Sequence, residues 1–229
     1  IKNMPRFKEN IDIDFITKQR VAENDKEKLF NVFSNNYTEI YTNQAISFIG
    51  LNASGKTTIL KAISFVINLL NNEALNNIKS KEILNDLSVS EKVTITSFFY
   101  NDNSVYKLET VIAKKINPVD NEEKLIITEE RLWEKDANKV KTKKSLFDFK
   151  DSDMRIERNE KEQFLLNDVS VMIAINKEKQ SNFPLRDMLM WTNHNMLNIL
   201  GKFPKELLTF LDPSIEYFKC SVEKKSADI

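Results

Sequence analysis

Eight consecutive residues, GLNASGKT at 50–57, carry the most chemistry in this chain. They follow the pattern Gly, four residues, Gly-Lys, then a hydroxyl residue, and each fixed part matches a feature of a triphosphate. Gly50 and Gly55 allow backbone angles and a close approach that a side chain would block. Amides from about Asn52 to Thr58 can then turn inward around phosphate oxygens. A helix starting near Gly55 adds its partial positive end. Lys56 supplies a mobile cation for the β- and γ-phosphates, and Thr57 a hydroxyl for Mg²⁺. The expected nucleotide site is therefore Gly50, Leu51, Asn52, Ala53, Ser54, Gly55, Lys56, Thr57 and Thr58, with Lys56 and Thr57 as the catalytic pair. The chain has 3 glycines in 229 residues, where roughly 7% is ordinary. Two of them stand here, so a plain glycine turn is the weaker explanation.

A phosphate loop is expected between a strand that aims it and a helix that backs it. Residues 45–49 (AISFI) form a short apolar run ending at Gly50, which predicts a buried strand. From 56 to 70, Ile59, Leu60, Ile63, Phe65, Val66, Leu69 and Leu70 recur near a 3.6-residue period, which predicts a helix ending at Asn71-Asn72. Upstream, residues 11–15 (IDIDF) alternate strictly and predict a half-buried strand, while 16–42 read as polar loop with short structure. Downstream, VTITSFFY, NDNS and VYKLETVI over 93–112 predict a β-hairpin. Residues 125–133 and 145–149 predict two more strands, with the basic loop KVKTKK (139–144) between them. No helical pattern separates these strands, so the expectation is an antiparallel meander rather than a βαβ series.

From about residue 160 helical spacing returns, although Val169, Val171, Ile173 and Ile175 fit a strand equally well. Residues 185–200 then fit a helix capped by Gly201, and 204–211 a shorter one. The expected organisation is a nucleotide-binding lobe over 1–158 and a mostly helical segment over 159–229.

Lys plus Arg and Asp plus Glu both number 34, so no global basic field argues for nucleic acid. The single cysteine, Cys220, rules out an intrachain disulfide and fits a reducing cytoplasm. No run of eighteen apolar residues predicts a membrane span, and the first ten residues lack the apolar core of a signal peptide.

Small GTPases need D-x-x-G after the phosphate loop; the one later glycine, Gly201, has Asn198 three positions before it. RecA-like and kinase-like cores continue in parallel βα units, which the meander does not match. Instead, IKNMPRF (1–7), IDIDF and GLNASGKTTILKAI (50–63) resemble the first lobe of ABC-type ATPase heads of the SMC, RecF and OLD branch. TNHNMLNI (192–199) and FLDPSIEYF (210–218) look similar to stand-alone bacterial ATPases linked to abortive infection and antiphage defence. The resemblance implies an α/β P-loop NTPase lobe that binds ATP with Mg²⁺ and pairs as a homodimer through the nucleotide. It also implies an effector protein gated by that cycle. Gln180 would correspond to the residue that senses Mg²⁺ and the attacking water, and Arg6 to a residue approaching the nucleotide. The ATPase portion of an OLD-like nuclease or repair protein, and an ATP sensor without turnover, are the rival readings.

The chain departs from that pattern in lacking a second Ser-Gly pair for a signature loop and a strand ending in Asp-Glu. Asp212 follows an apolar run but precedes Pro213, so it reads as a helix terminus. An ending in KKSADI fits a fragment. His194 reads as a helix-surface residue, and Trp133 and Trp191 as core anchors. Lys139, Lys141, Lys143 and Lys144 read as a solvated loop, with phosphate contact to DNA as the alternative.

Overall fold

The computed structural model describes residues 1–50, 55–116, 121–159 and 165–178. All of them fall within one compact unit, Ile1–Leu185. Among them the fold is mixed α/β, built on antiparallel sheets. Six strands are present: β1 (Leu29–Ser34), β2 (Glu39–Asn43), β3 (Lys92–Asn101), β4 (Ser104–Ile116), β5 (Glu123–Asp136) and β6 (Met154–Arg158). Among the described residues the two α-helices are α1 (Lys56–Leu70) and α2 (Met172–Glu178). β1 and β2 pair as a hairpin, and β3-β4-β5-β6 form a four-stranded meander in sequence order.

The β3–β4 hairpin turns at Asp102 and Asn103, with φ of 48° and 60°. Two left-handed residues in a two-residue loop make the turn whose twist matches the flanking strands, and Asp and Asn are among the few side chains that tolerate it. The register then runs without a break from Asn101↔Ser104 to Lys92↔Ala113. Alternation along these strands gives the sheet two faces. On one face Val93, Ile95, Ile112 and Ile127 are buried with Phe65 and Leu69 of α1 and with Leu75, Ile78, Leu84 and Leu87 of the connection that follows it. Farther along, Tyr106, Leu108 and Leu132 pack against Leu70 and against Val171, Met172 and Ile175 at the start of α2. Val105, in the opposite phase, packs with Phe33 and Ile40 of the first hairpin and with Ala137, Val140 and Leu146.

α1 begins and ends where its sequence directs. Gly55 caps its N-terminus at φ 86°, and Ile59 N–H donates to the Gly55 carbonyl at 3.0 Å to close the first turn. At the other end Asn72 takes φ 67°. Its N–H reaches the Leu69 carbonyl at 3.2 Å, and the Glu73 N–H reaches Asn68 at 3.1 Å. This paired termination needs a left-handed residue, a role asparagine fills when glycine is scarce. Phe65 and Leu69 have no exposed surface, and burial of such side chains contributes about 1.5–3 kcal/mol each.

Three predicted strands are not formed. Residues 45–49 are irregular, with Ile46 40% and Ile49 94% exposed. An apolar strand is buried only if neighbours cover it, and among the described residues none pairs with this one. Residues 11–15 are likewise irregular, followed by one isolated bridge, Ile16↔Thr42. Residues 145–149 fold as a short 3₁₀ turn and bend, with Leu146 buried and Lys135 Nζ donating to the Ser145 and Asp148 carbonyls at 2.5 and 2.6 Å. The short structure expected within 16–42 is the β1–β2 hairpin, whose second strand runs to Asn43. The ambiguity after residue 160 resolves as helix from Met172. The helices predicted at 185–200 and 204–211 lie outside the described residues.

Candidate phosphate-loop site

Described parts of the predicted loop are Gly50, Gly55, Lys56, Thr57 and Thr58; Leu51, Asn52, Ala53, Ser54 and Gln180 lie outside the described residues. Lys56 Nζ donates to the Gly50 carbonyl at 2.7 Å, bridging the two ends of the loop. Gly55 has no side chain to cap α1, and the first turn of the helix contains no acidic residue. The partial positive end of α1 is therefore left without a carboxylate of its own. Thr57 is exposed one residue into the helix, and Thr58 is half-buried behind it.

Two features favour glycine at position 55. Its φ of 86° is a conformation that side chains rarely adopt. An added Cβ would also lie 3.3 Å from Cζ of Phe7. The half-buried Phe7 ring thus lies beside the open side of Gly55, a juxtaposition that periodicity could not reveal. Its signal was Met-Pro-Arg-Phe at 4–7. Pro5 occupies the second position of a turn, Arg6 takes φ 69° at the third, and Phe7 N–H returns to the Met4 carbonyl at 3.1 Å. Arg6 itself is mostly exposed and ion-paired with Asp86.

The donor set is compatible with magnesium nucleotide. Magnesium retains several waters and takes few protein ligands, a demand that one hydroxyl at Thr57 together with phosphate oxygens would meet. Among the described residues no cluster of three or more His, Cys, Asp or Glu forms a separate metal site.

Glu130 is a second group that sequence reading passed over. It has no exposed surface, yet it lies inside the sheet face that packs on the helices. Its carboxylate accepts from Thr110 Oγ1 and Ser170 Oγ, both at 2.8 Å, and from the Val171 N–H at 2.7 Å. Cross-strand from it, the buried Arg158 donates to the Val169 and Leu166 carbonyls at 2.5 and 2.9 Å. Burial pushes the Glu130 carboxyl up, against the pull of these hydrogen bonds and of the Arg158 charge. Every partner is structural, so this cluster fastens residues 165–175 to the sheet. The visible signal is a Glu two residues from Leu132, in the phase that faces inward.

The basic loop is partly committed to the fold. Lys143 Nζ donates to the Thr17 and Gln19 carbonyls at 2.5 and 2.7 Å, whereas Lys139, Lys141 and Lys144 are exposed. Trp133 is buried, with Lys107 Nζ 4.0 Å from its ring centroid. His194, Trp191, Asp212 and Cys220 lie outside the described residues. No helix among the described residues is long and apolar enough to cross a membrane. Comparison with family models, with curated proteins and with solved structures finds no match.

Proposed function

We propose that this chain is the Mg-ATP-binding lobe of a P-loop ATPase of the ABC-type head class, acting in the cytoplasm. The observation that carries the reading is the loop GLNASGKT joined to its helix: left-handed Gly55 starts α1, and the Lys56 ammonium spans back to Gly50. An antiparallel meander packed on that helix supports the head class over a RecA-like core.

In this reading the amides at the start of α1 and the Lys56 ammonium bind the β- and γ-phosphates, and the Thr57 hydroxyl faces the magnesium. Such a site lowers the barrier to phosphoryl transfer by positioning and charge stabilisation. A carboxylate that orients water and a signature loop are not legible in the sequence. ATP would therefore act first as a ligand that joins two copies, with hydrolysis needing groups beyond the loop. The cycle would gate an effector, by resemblance one that acts in antiphage defence.

Thermal unfolding tests binding. Saturating Mg-ATP at a hundred times Kd is expected to raise Tm by about 5–10 °C for a chain of this size. Lys56→Ala should lose most of that shift. Equal shifts in both proteins would place the nucleotide elsewhere.

A further inference from the structure

Three segments far apart in sequence meet at the turn of the β1–β2 hairpin. Asn35, in that turn, donates from Nδ2 to the Ala137 and Val140 carbonyls at 2.7 and 2.8 Å. Its Oδ1 accepts from the Tyr37 and Thr38 N–H groups at 2.8 and 2.9 Å, which fixes the turn that carries Tyr37. Lys143 Nζ, bonded to the Thr17 and Gln19 carbonyls, holds residues 17–20 alongside. Ser145 Oγ accepts from the Lys141 and Thr142 N–H groups at 3.0 Å each, so the lysine loop is itself ordered.

The composition of this surface is one-sided. Residues 15–22, 29–38 and 137–147 contain six Lys or Arg and no Asp or Glu, in a chain with 34 of each sign. One of the six, Lys143, is taken up by the fold. The other five, Lys18, Arg20, Lys139, Lys141 and Lys144, are exposed, and none pairs with a carboxylate among the described residues. Elsewhere cations are matched, Lys26 by Glu23 and Glu39, and Arg131 by Glu109, Glu129 and Glu157. A neutral chain thus carries a local excess of positive charge. Amid it stands an aromatic side chain: Tyr37 is 63% exposed, with Lys141 Nζ 5.8 Å from its ring centroid.

We propose that this surface binds single-stranded nucleic acid, with the five cations along the phosphates and Tyr37 stacked on a base. Cations alone would suit any polyanion. The exposed ring selects among polyanions. A duplex keeps its bases stacked on one another, whereas a single strand can lay a base on an aromatic side chain. An ordered turn presents that ring, so little conformational freedom is lost when a base covers it. None of residues 50–58 takes part, so the proposal is independent of nucleotide binding at the phosphate loop.

Fluorescence anisotropy with the full chain and no Mg-ATP tests this. The probes are labelled oligothymidine and oligouridine of about 16 nucleotides, the upper end of ordinary single-strand site sizes. Binding of either supports the proposal, and the tighter one names the sugar. A duplex of the same length should bind more weakly. Tyr37→Ala should raise the single-strand Kd about tenfold, the loss of one base stack, and leave duplex binding unchanged. Tyr37→Phe keeps the ring and should bind as the wild type does. Replacing Lys141 and Lys144 together by Gln should reduce the slope of log K against log salt by about 1.4, two phosphate contacts at about 0.7 each. All three positions are exposed, so these variants are expected to keep the fold, which circular dichroism checks. No single-strand binding by the wild type at low salt overturns the proposal. So does binding that Tyr37→Ala leaves unchanged, or equal affinity for heparin, which has charge but no bases.

Discussion

Gly55 combines a left-handed backbone, the cap of α1 and an open side facing the Phe7 ring in one residue. Gly55→Ala therefore meets two obstacles, an unfavourable φ and a Cβ 3.3 Å from the Phe7 ring. The expected loss is about 1–2 kcal/mol in urea unfolding from the backbone alone. An alanine variant as stable as the wild type would show that the loop can relax at no cost. Glu130 presents the opposite problem at the same scale, a polar group where the pattern calls for an apolar one. Its charge is accommodated by three donors and a nearby guanidinium. Glu130→Leu would strand the Val171 N–H and remove one of the two carboxylates, with Asp168, that offset the buried Arg158 charge, for an expected loss of about 3–5 kcal/mol.

Among the elements, the β3–β4 turn offers a direct gain. Asp102-Asn103 already holds both left-handed angles, and Asp-Gly suits such a turn better. Asn103→Gly is expected to stabilise by about 0.5–1 kcal/mol in denaturant unfolding; destabilisation would mean that the Asn103 side chain makes a needed contact. The strongly periodic elements, α1 and β3 to β5, were legible because their apolar faces have partners nearby in the sequence. Residues 11–15 and 45–49 show the limit of that logic. Alternation marks a face that could be buried, but pairing decides whether a strand exists, and Ile49 is 94% exposed. β1 was hidden by a register shift between Asn31 and Phe33, which breaks its alternation. β6 was hidden because its buried position is Arg158. Of the candidate site, the start of α1 at Gly55 and Lys56 was legible, since the GLNASGKT pattern is local. The nearness of Phe7 to Gly55 was not, because it depends on where the N-terminal turn returns in space.

For the molecule as a whole, the sheet is held to the segment before α2 by a polar joint as well as by apolar packing. Leu75 N–H donates to the Asp168 carbonyl at 2.8 Å and Ile127 N–H to Asn167 at 2.7 Å, beside the Glu130 and Arg158 contacts. This joint has a pH signature. The folded Glu130 carboxyl lies above its ordinary value of 4.5, so the folded state binds the proton more tightly than the unfolded state. The associated stability is complete below about pH 4.5 and is lost as pH rises through the folded pKa. Glu130→Gln cannot titrate, so the stability difference between wild type and variant should move in favour of the variant as pH rises from 4.5. A difference that stays flat with pH would mean that Glu130 titrates normally.

Calorimetric titration of the intact chain with Mg-ATP tests the central claim most directly. The account predicts saturable heat from the wild type and its loss in Lys56→Ala with the fold unchanged. No heat from a folded wild type, or equal binding by Lys56→Ala, would contradict it.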